Sequence, residues 1–263
     1  MKTKTVQYAC AKLPIYKKKF FGLYKGEKIG SKPALADARR IKYRPGESTL
    51  FISTARTGKT TAMARWAMEL LEEKKPFVYF LTSWHITEHS DGRVLIRCGN
   101  EEGINFQDIF LPIGEFKADG MSALIKIEKE VNIVEEAIDA LQKAVYAGYH
   151  VFVDENIFTM EMLEYLSKNE YNKYTVALQS LADINGYFGD SNVINPDWIF
   201  LGRSNDLTAL KKFLNIYGKY ELDDHSETMR LGVGKFMVFK KYLMTPEHKL
   251  LMAIKKIEKE GKQ

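Results

Sequence analysis

The chain has 263 residues, of which 45% are hydrophobic and 28% charged, and this length suits one sizeable core with a small appendage. Its two cysteines, Cys10 and Cys98, lack a CxxC spacing, which argues against a disulfide framework or a zinc site. No apolar run approaches the ~18 residues that span a bilayer, and Lys12 and Pro14 interrupt the N-terminal apolar residues, so we expect a soluble intracellular protein without a secretory signal.

The net charge of +5 is unevenly distributed along the chain. Residues 1–44 hold thirteen Lys and Arg against two acids, Glu27 and Asp37, a balance of +11 that leaves −6 for the remainder. Aromatic residues interleave with this charge in YKKKFFGLYK (16–25). Such a segment suits contact with a polyanion such as DNA, and a solvated tail is the alternative.

A strand, a loop and a helix are predicted in succession after residue 47. STLFIS (48–53) is β-branched and apolar, and TTAMARWAMELLEEKK (60–75) has apolar residues at helical spacing. This is the context in which G-x-x-x-x-G-K-[ST] acts as a phosphate-binding loop, because the backbone N–H groups and the helix N-terminus converge on phosphate oxygens. The predicted nucleotide-binding residues are Ser53, Thr54, Ala55, Arg56, Thr57, Gly58, Lys59, Thr60 and Thr61.

One residue of this loop departs from the pattern. Ser53 stands where the first glycine belongs, a position that eases the turn out of the strand. Gly58, Lys59 and Thr60 are retained, and these are the residues expected nearest to the β- and γ-phosphates and to Mg²⁺. The substitution weakens the pattern without removing its chemistry, and we therefore predict ATP and Mg²⁺ as ligands.

The middle of the chain predicts two strands and one long helix. PFVYFLTSW (76–84) and the shorter GRVLIRC (92–98) are apolar enough for strands. A long amphipathic helix is predicted from apolar residues that recur three and four positions apart, namely Leu124, Ile127, Val131, Val134, Ile138, Leu141 and Val145.

Two later strands end in residues suited to catalysis. YHVFVDEN (149–156) ends in Asp154, placed to hold Mg²⁺ through water, and Glu155, placed as a general base for an attacking water. YTVALQS (174–180) ends in Gln179, which would face the γ-phosphate if its strand lies between the loop strand and the acidic strand. The alternative is that these are buried strands with polar caps.

The last third predicts a further strand, two helices and a β-rich segment. DWIFLGRSNDLTALKKFL (197–214) supplies a strand that ends near Arg203 and a helix with Asn205 or Asp206 at its N-cap. Arg203 would serve as a sensor or as an arginine finger for a neighbouring subunit, unless it is simply solvated. RLGVGKFMVFKKY is β-rich, and a helix with Pro246 at its first position follows.

Alternating strands and helices predict an α/β fold with a mostly parallel central sheet and helices on both faces. Together with the loop and the acidic strand, this order resembles a P-loop NTPase of the RecA/ASCE type. We divide the chain into a basic lead-in segment (1–44), an ATPase domain (45–240) and a C-terminal helix (241–263). Lys59, Asp154, Glu155 and Gln179 would all fall at the carboxyl edge of the sheet, where such folds bind ligands.

With these motifs placed, the chain resembles the HerA–FtsK superfamily of P-loop ATPases, in particular the viral genome-packaging ATPases and their archaeal relatives. The resemblance covers roughly residues 28–240 and includes KIGSKPALADARRI (28–41) and RLGVGKFMVF. It implies a homo-oligomeric ring, typically a hexamer, that translocates double-stranded DNA, with Lys59, Glu155, Gln179 and Arg203 as catalytic residues. Virion or portal-like proteins are possible further partners, and the implied location is the host cytoplasm or the virion.

Three other functions are compatible with the same motifs. The first is an ATPase that drives virion extrusion or protein secretion, which would not be stimulated by DNA. The second is a small-molecule P-loop kinase, disfavoured because Glu155 beside Asp154 suits activation of water and no arginine-rich lid is apparent. The third, made conceivable by Ser53, is a regulatory protein that binds a nucleotide without hydrolysing it.

Overall fold

A computed structural model of the chain describes residues 5–10, 12–18, 25–33, 35–98, 101–128, 134–180, 196–204, 206, 208 and 231–244. Its helices are Lys59–Glu72 (α1), Val134–Tyr146 (α2) and Thr159–Lys168 (α3). Its strands are Thr5–Cys10 (β1), Lys12–Lys18 (β2), Lys25–Pro33 (β3), Leu35–Asp37 (β4), Thr49–Ile52 (β5), Phe77–Thr82 (β6), Ile86–Glu88 (β7), Val94–Cys98 (β8), Glu101–Asn105 (β9), Phe110–Leu111 (β10), Ala123–Ile127 (β11), His150–Asp154 (β12), Tyr174–Leu178 (β13), Trp198–Leu201 (β14) and Lys235–Met244 (β15).

Ten of the strands within the described ranges form one central sheet. Its order is β1-β15-β14-β5-β13-β12-β6-β11-β10, and β4 pairs with β15 beside this path. The strands from β14 to β10 are all parallel, whereas β15 runs antiparallel to each of its partners. β13 lies between β5 and β12, so the strand that precedes Gln179 separates the loop strand from the acidic strand, which meets the condition set for the role of Gln179.

Helices cover both faces of the sheet because the strand residues alternate between two apolar layers. Leu50 and Ile52 of β5 point into the layer that α2 and α3 complete, whereas Phe51 points into the layer that α1 completes. The central strands are buried along their whole length, as expected for a parallel sheet between helical layers. The predicted fold class is confirmed.

The predicted long helix is wrong in its first part. Leu124 and Ile127 belong to β11, which pairs in parallel with β6, and the helix begins only at Val134. The apolar spacing wrongly indicated a helix here. A strand that is buried on both faces is apolar at nearly every position, so it also satisfies a helical pattern over one or two turns. Val131 lies outside the described residues.

The other predicted elements have mixed outcomes. The strand predicted within 92–98 exists as β8, but it belongs to a separate antiparallel sheet with β7 and β9. The β-rich segment near the C-terminus contains β15, as predicted. The helix expected after Asn205 or Asp206 and the C-terminal helix lie outside the described residues, apart from the isolated positions 206 and 208.

Both ends of the chain contribute to the central sheet. β1 and β4, from the predicted lead-in segment, pair with β15, and β15 itself runs past residue 240 to Met244. β2 and β3 form a separate antiparallel pair. Within the described part of the chain, none of the helices combines the length and apolar character needed to cross a membrane.

Candidate nucleotide-binding site

The loop between β5 and α1 has the backbone geometry of a phosphate-binding loop. Gly58 occupies the N-cap of α1 with φ 98°, a left-handed conformation that favours glycine, and Arg56 also has a positive φ of 60°. The Thr57 hydroxyl donates to the Thr54 carbonyl at 2.9 Å, which closes the loop on itself. Thr60 and Thr61 lie in the first turn of α1, half-buried, while Ala55 and Arg56 are exposed at the tip. The N-terminus of α1 therefore opens at the carboxyl edge of the sheet.

An aromatic cluster beneath the loop fixes β5 against its neighbours. Phe51 of β5 stacks on Phe200 of β14 with ring centroids 4.9 Å apart, and it meets Trp66 of α1 at 5.5 Å. Phe236 of β15 approaches Phe51 edge-on at 5.4 Å. Aromatic pairs of this kind contribute about 0.5–1.5 kcal/mol each beyond their buried area. The cluster therefore holds four elements together. These are β5 and α1 on either side of the loop, β14, which precedes Arg203, and β15, which follows the turn at Gly234.

A turn from the C-terminal part of the chain also braces the loop. The Gly234 N–H donates to the Thr57 carbonyl at 2.8 Å, and the Ala38 N–H donates to the Gly234 carbonyl at 2.7 Å. Lys235 and Asp37 form an ion pair at 2.5 Å across the same junction. Two segments that are remote in sequence thus hold the outer side of the loop.

Ser53, the residue in place of the first glycine, fits because a glycine faces it. A Cβ added to Gly202, directly after β14, would lie 2.6 Å from the Ser53 Cβ and 3.0 Å from the Phe236 ring. The Ser53 hydroxyl is hydrogen-bonded to the Thr57 hydroxyl and accepts from the Lys59 ammonium at 3.3 Å. The extra side chain is therefore accommodated by the neighbouring strand and contacts the lysine.

We predict that Gly202→Ala disturbs the loop and that Ser53→Gly partly relieves the disturbance. The added methyl group forces β14 and β5 apart, an overpacking that costs about 1–3 kcal/mol. Thermal unfolding and nucleotide binding of both single variants and the double variant form a cycle, in which Ser53→Gly alone should be well tolerated. Strictly additive effects of the two substitutions would contradict the assigned contact.

Lys59 is buried inside the loop, with its side chain 3% exposed. Its ammonium donates to the Ser53 carbonyl at 2.6 Å and to the Thr54 carbonyl at 2.9 Å. It also forms an ion pair with Glu155 Oε1 at 2.5 Å. The predicted phosphate-binding lysine and the predicted general base are therefore in direct contact.

Glu155 lies between Lys59 and Gln179. It follows β12 directly, with a positive φ of 45° that turns its side chain away from the course of the strand. The Gln179 amide donates to Glu155 Oε2 at 2.8 Å. A left-handed backbone is unfavourable for a glutamate, and such conformations cluster at functional sites. The structure thus brings three of the four predicted catalytic residues into one chain of contacts.

Asp154, the predicted metal residue, is fully buried at the end of β12. The Tyr79 hydroxyl donates to its Oδ2 at 3.0 Å, while its Oδ1 has no hydrogen-bond partner among the described residues. Burial raises the pKa of Asp154, and the charge of His85 and the Thr60 and Tyr79 hydroxyls partly oppose that rise. A buried carboxylate oxygen without a partner, close to a threonine hydroxyl, suits a hard cation such as Mg²⁺.

Arg203 is linked to the loop through its backbone. Its carbonyl accepts a hydrogen bond from the Thr54 N–H at 2.9 Å, and its side chain is exposed. The residue therefore stands at the same sheet edge as the loop, two positions after β14. Its role as a sensor or an arginine finger stays a prediction.

Two residues beside Asp154 and Thr60 were not predicted from the sequence. Tyr79 lies in β6 and His85 ends the short 3₁₀ turn Ser83–His85 that follows this strand. His85 Nδ1 is 3.4 Å from the Thr60 hydroxyl oxygen. The available signal was that β6, which pairs with the acidic strand, also ends in polar residues at the carboxyl edge.

These features together define the fold of a P-loop NTPase of the ASCE type: a phosphate-binding loop after one strand, an acidic strand two places away, and a polar-tipped strand between them. No protein-family model and no curated protein matches the sequence.

Solved structures with a similar fold include several complexes of one viral protein. The genome packaging NTPase B204 from Sulfolobus turreted icosahedral virus 2, in complex with AMPPCP, is 9% identical over 77% of this chain and 99% of that chain, with a TM-score of 0.46. Its complex with ATP-gammaS is 10% identical over 78% and 99% of the two chains, with a TM-score of 0.45. B204 is a genome packaging NTPase, the class of protein that the motifs of this sequence resemble.

Proposed function

We propose that the chain is a Mg²⁺-dependent ATPase that drives the translocation of double-stranded DNA, as a viral genome-packaging motor does. The observation that carries the ATPase part is the contact chain Lys59–Glu155–Gln179 at the opening of the loop. A phosphate-binding lysine, a carboxylate able to accept a proton and an amide able to orient water are the groups that nucleotide hydrolysis needs in one place.

Each of these residues has a distinct part in the proposed reaction. Lys59 offsets the charge of the β- and γ-phosphates, together with the N–H groups at the start of α1. Glu155 accepts the proton of the attacking water, and Gln179 holds that water and the carboxylate in place. Because the phosphate oxygens of ATP compete for the ammonium of Lys59, nucleotide binding would release Glu155 Oε1 for this task.

Thr60 and Asp154 would hold the magnesium ion. The described residues contain no cluster of three or more His, Cys, Asp or Glu side chains placed for a metal. Mg²⁺ in phosphate-transfer sites is commonly held by one or two carboxylates together with phosphate oxygens and water, so one buried carboxylate and one hydroxyl are a sufficient protein contribution. When bound, the ion supplies positive charge that stabilises the negative charge developing on the phosphate oxygens.

The DNA part of the proposal rests on charge and on the sequence resemblance. The net +11 of residues 1–44 is concentrated in one segment of the chain, as expected for a surface that neutralises a phosphate backbone. Binding of this kind depends on backbone charge, so it would have little sequence preference and would weaken with salt. The alternatives, an extrusion or secretion ATPase and a small-molecule kinase, predict no response to DNA.

We also propose a ring of identical subunits, with Arg203 acting across the subunit boundary. Mixing Arg203→Ala subunits with Glu155→Gln subunits, each inactive alone, should then restore activity. An interface with an intact Glu155 on one side and an intact Arg203 on the other forms at roughly a quarter of the boundaries under random mixing of a head-to-tail ring. Phosphate release by the mixture should approach that fraction of the wild-type rate.

Two results of this mixing experiment would contradict the ring proposal. If the mixture stays as inactive as its components while both variants assemble, Arg203 acts within its own subunit as a sensor. If Arg203→Ala alone retains the wild-type rate, the residue has no part in turnover. Sedimentation of each variant with nucleotide is the control that separates failed assembly from failed catalysis.

A further inference from the structure

The proposed nucleotide has a definite direction along the carboxyl edge of the sheet. Its γ-phosphate is expected beside Lys59 and Glu155, and Glu155 follows β12, which lies on one side of β5 beyond β13. On the other side of β5 the sheet continues with β14 and then β15. Because a nucleoside triphosphate carries its base at the end opposite to the γ-phosphate, the base should lie over the β14 side of the loop.

The turn before β15 forms the surface on that side. β15 runs antiparallel to β14, so the residues that precede it, 231–234, lie at the same edge of the sheet as the loop. The Gly234 N–H donates to the Thr57 carbonyl at 2.8 Å, and a Cβ added to Gly58 would lie 3.4 Å from the Gly234 Cα. The turn therefore borders the phosphate-binding loop directly.

Val233 is the apolar residue that this turn exposes. Its side chain is 76% exposed, and the residues on either side of it are glycines, which have no side chain to cover it. The Lys235 N–H donates to the Gly232 carbonyl at 3.1 Å, and the Ala38 N–H donates to the Gly234 carbonyl at 2.7 Å, so the turn is held in place. A lone exposed valine is ordinary on a protein surface, and what distinguishes this one is its place beside the loop.

The chemistry of the ligand matches this position. The groups placed at the phosphates and the metal, such as Lys59 and Asp154, are charged or polar, and they leave the nucleoside without a contact. The faces of a nucleobase are apolar, and sites for such ligands are lined mostly by apolar side chains with a few polar groups. An exposed aliphatic side chain on the β14 side of the loop therefore supplies what the base needs.

We infer that Val233 is a nucleoside-binding residue, whose side chain packs against the base of the bound nucleotide. This inference rests on the proposed function and extends it to the part of the substrate that the phosphate-binding loop does not contact. Val233 should therefore contribute to the affinity for a nucleotide and not to the affinity for its phosphates alone.

Calorimetric titration of the full chain in Mg²⁺ tests this inference with two probes. One is AMPPCP, an ATP analogue that is not hydrolysed, and the other is tripolyphosphate, which lacks the nucleoside. Val233→Ser removes most of the apolar surface and should raise the AMPPCP dissociation constant about 3- to 10-fold, with tripolyphosphate binding unchanged. Val233→Ile keeps the apolar contact and should bind AMPPCP as wild type does. Met121→Ser, which alters a 69% exposed methionine at the opposite edge of the sheet, is the matched control.

The possible outcomes separate this inference from the proposed function. Equal AMPPCP affinity in wild type and Val233→Ser overturns the role of Val233 alone. An equal loss of both probes would show that the turn only braces the loop, and it also overturns that role. Wild type that binds tripolyphosphate as tightly as AMPPCP would show that the nucleoside makes no contact, while the phosphate site stands. Wild type that binds neither probe would overturn the ATPase proposal itself.

Discussion

Replacing Lys59 by alanine is expected to reduce ATP turnover by at least about 100-fold and to weaken ATP binding severely. Within the described residues Lys59 is the buried cation of the loop, and backbone N–H groups alone cannot offset the charge of a triphosphate. Phosphate release and the binding of a fluorescent ATP analogue measure the two effects.

The control for this variant must separate lost chemistry from lost stability. Lys59→Ala leaves Glu155 without its cationic partner, and an unpaired buried carboxylate destabilises a fold. Thermal unfolding should therefore be recorded alongside turnover. Lys143→Ala removes a lysine from an exposed ion pair on α2 and should change neither quantity. Wild-type turnover in Lys59→Ala would refute the loop assignment.

Glu155→Gln should retain ATP binding and lose about 10²- to 10⁴-fold in the rate of hydrolysis. The amide keeps the shape of the side chain but cannot accept the proton of the attacking water. It also removes the ion pair with Lys59, so the ammonium becomes more available to phosphate and ATP should bind at least as tightly as in wild type. Gln179→Ala should show the same pattern with a smaller loss of rate.

Binding and single-turnover hydrolysis, measured on the same preparation, distinguish this role from a structural one. Glu164→Gln alters a half-buried carboxylate that pairs with Lys168 on α3 and is the matched control. If Glu155→Gln lowered ATP affinity while the bound nucleotide was still hydrolysed at the wild-type rate, Glu155 would be a binding or folding residue and the base would have to be sought elsewhere.

The central elements of the site could be predicted from the sequence because their motifs sit at the ends of apolar strands. Lys59, Asp154, Glu155 and Gln179 each adjoin a buried strand of the parallel sheet, and the carboxyl ends of parallel strands share one edge. Local patterns therefore sufficed to place these four residues at that edge. The position of β13 between β5 and β12 was only a condition for the role expected of Gln179, and the structure meets that condition.

The contacts that complete the site are non-local, and a local sequence pattern does not show which strands lie side by side. Gly202 admits Ser53 only because β14 lies beside β5, and His85 meets Thr60 only through the pairing of β6 with β12. The brace formed by Ala38 and Gly234 joins segments almost two hundred positions apart in the chain. The wrong prediction of a helix over β11 has a similar cause. An apolar run indicates that a segment is buried, but it does not show whether the segment is a helix or a strand.

The measurement that tests the proposed function most directly is steady-state phosphate release by the wild-type chain with Mg–ATP, with and without duplex DNA at low salt. We predict hydrolysis that depends on Mg²⁺ and is stimulated by DNA of any sequence, with the stimulation falling as salt is raised. A chain that binds ATP but releases no phosphate under either condition would contradict the catalytic role given to Glu155. Full hydrolysis with no response to DNA would retain the ATPase site and reject DNA as the cargo.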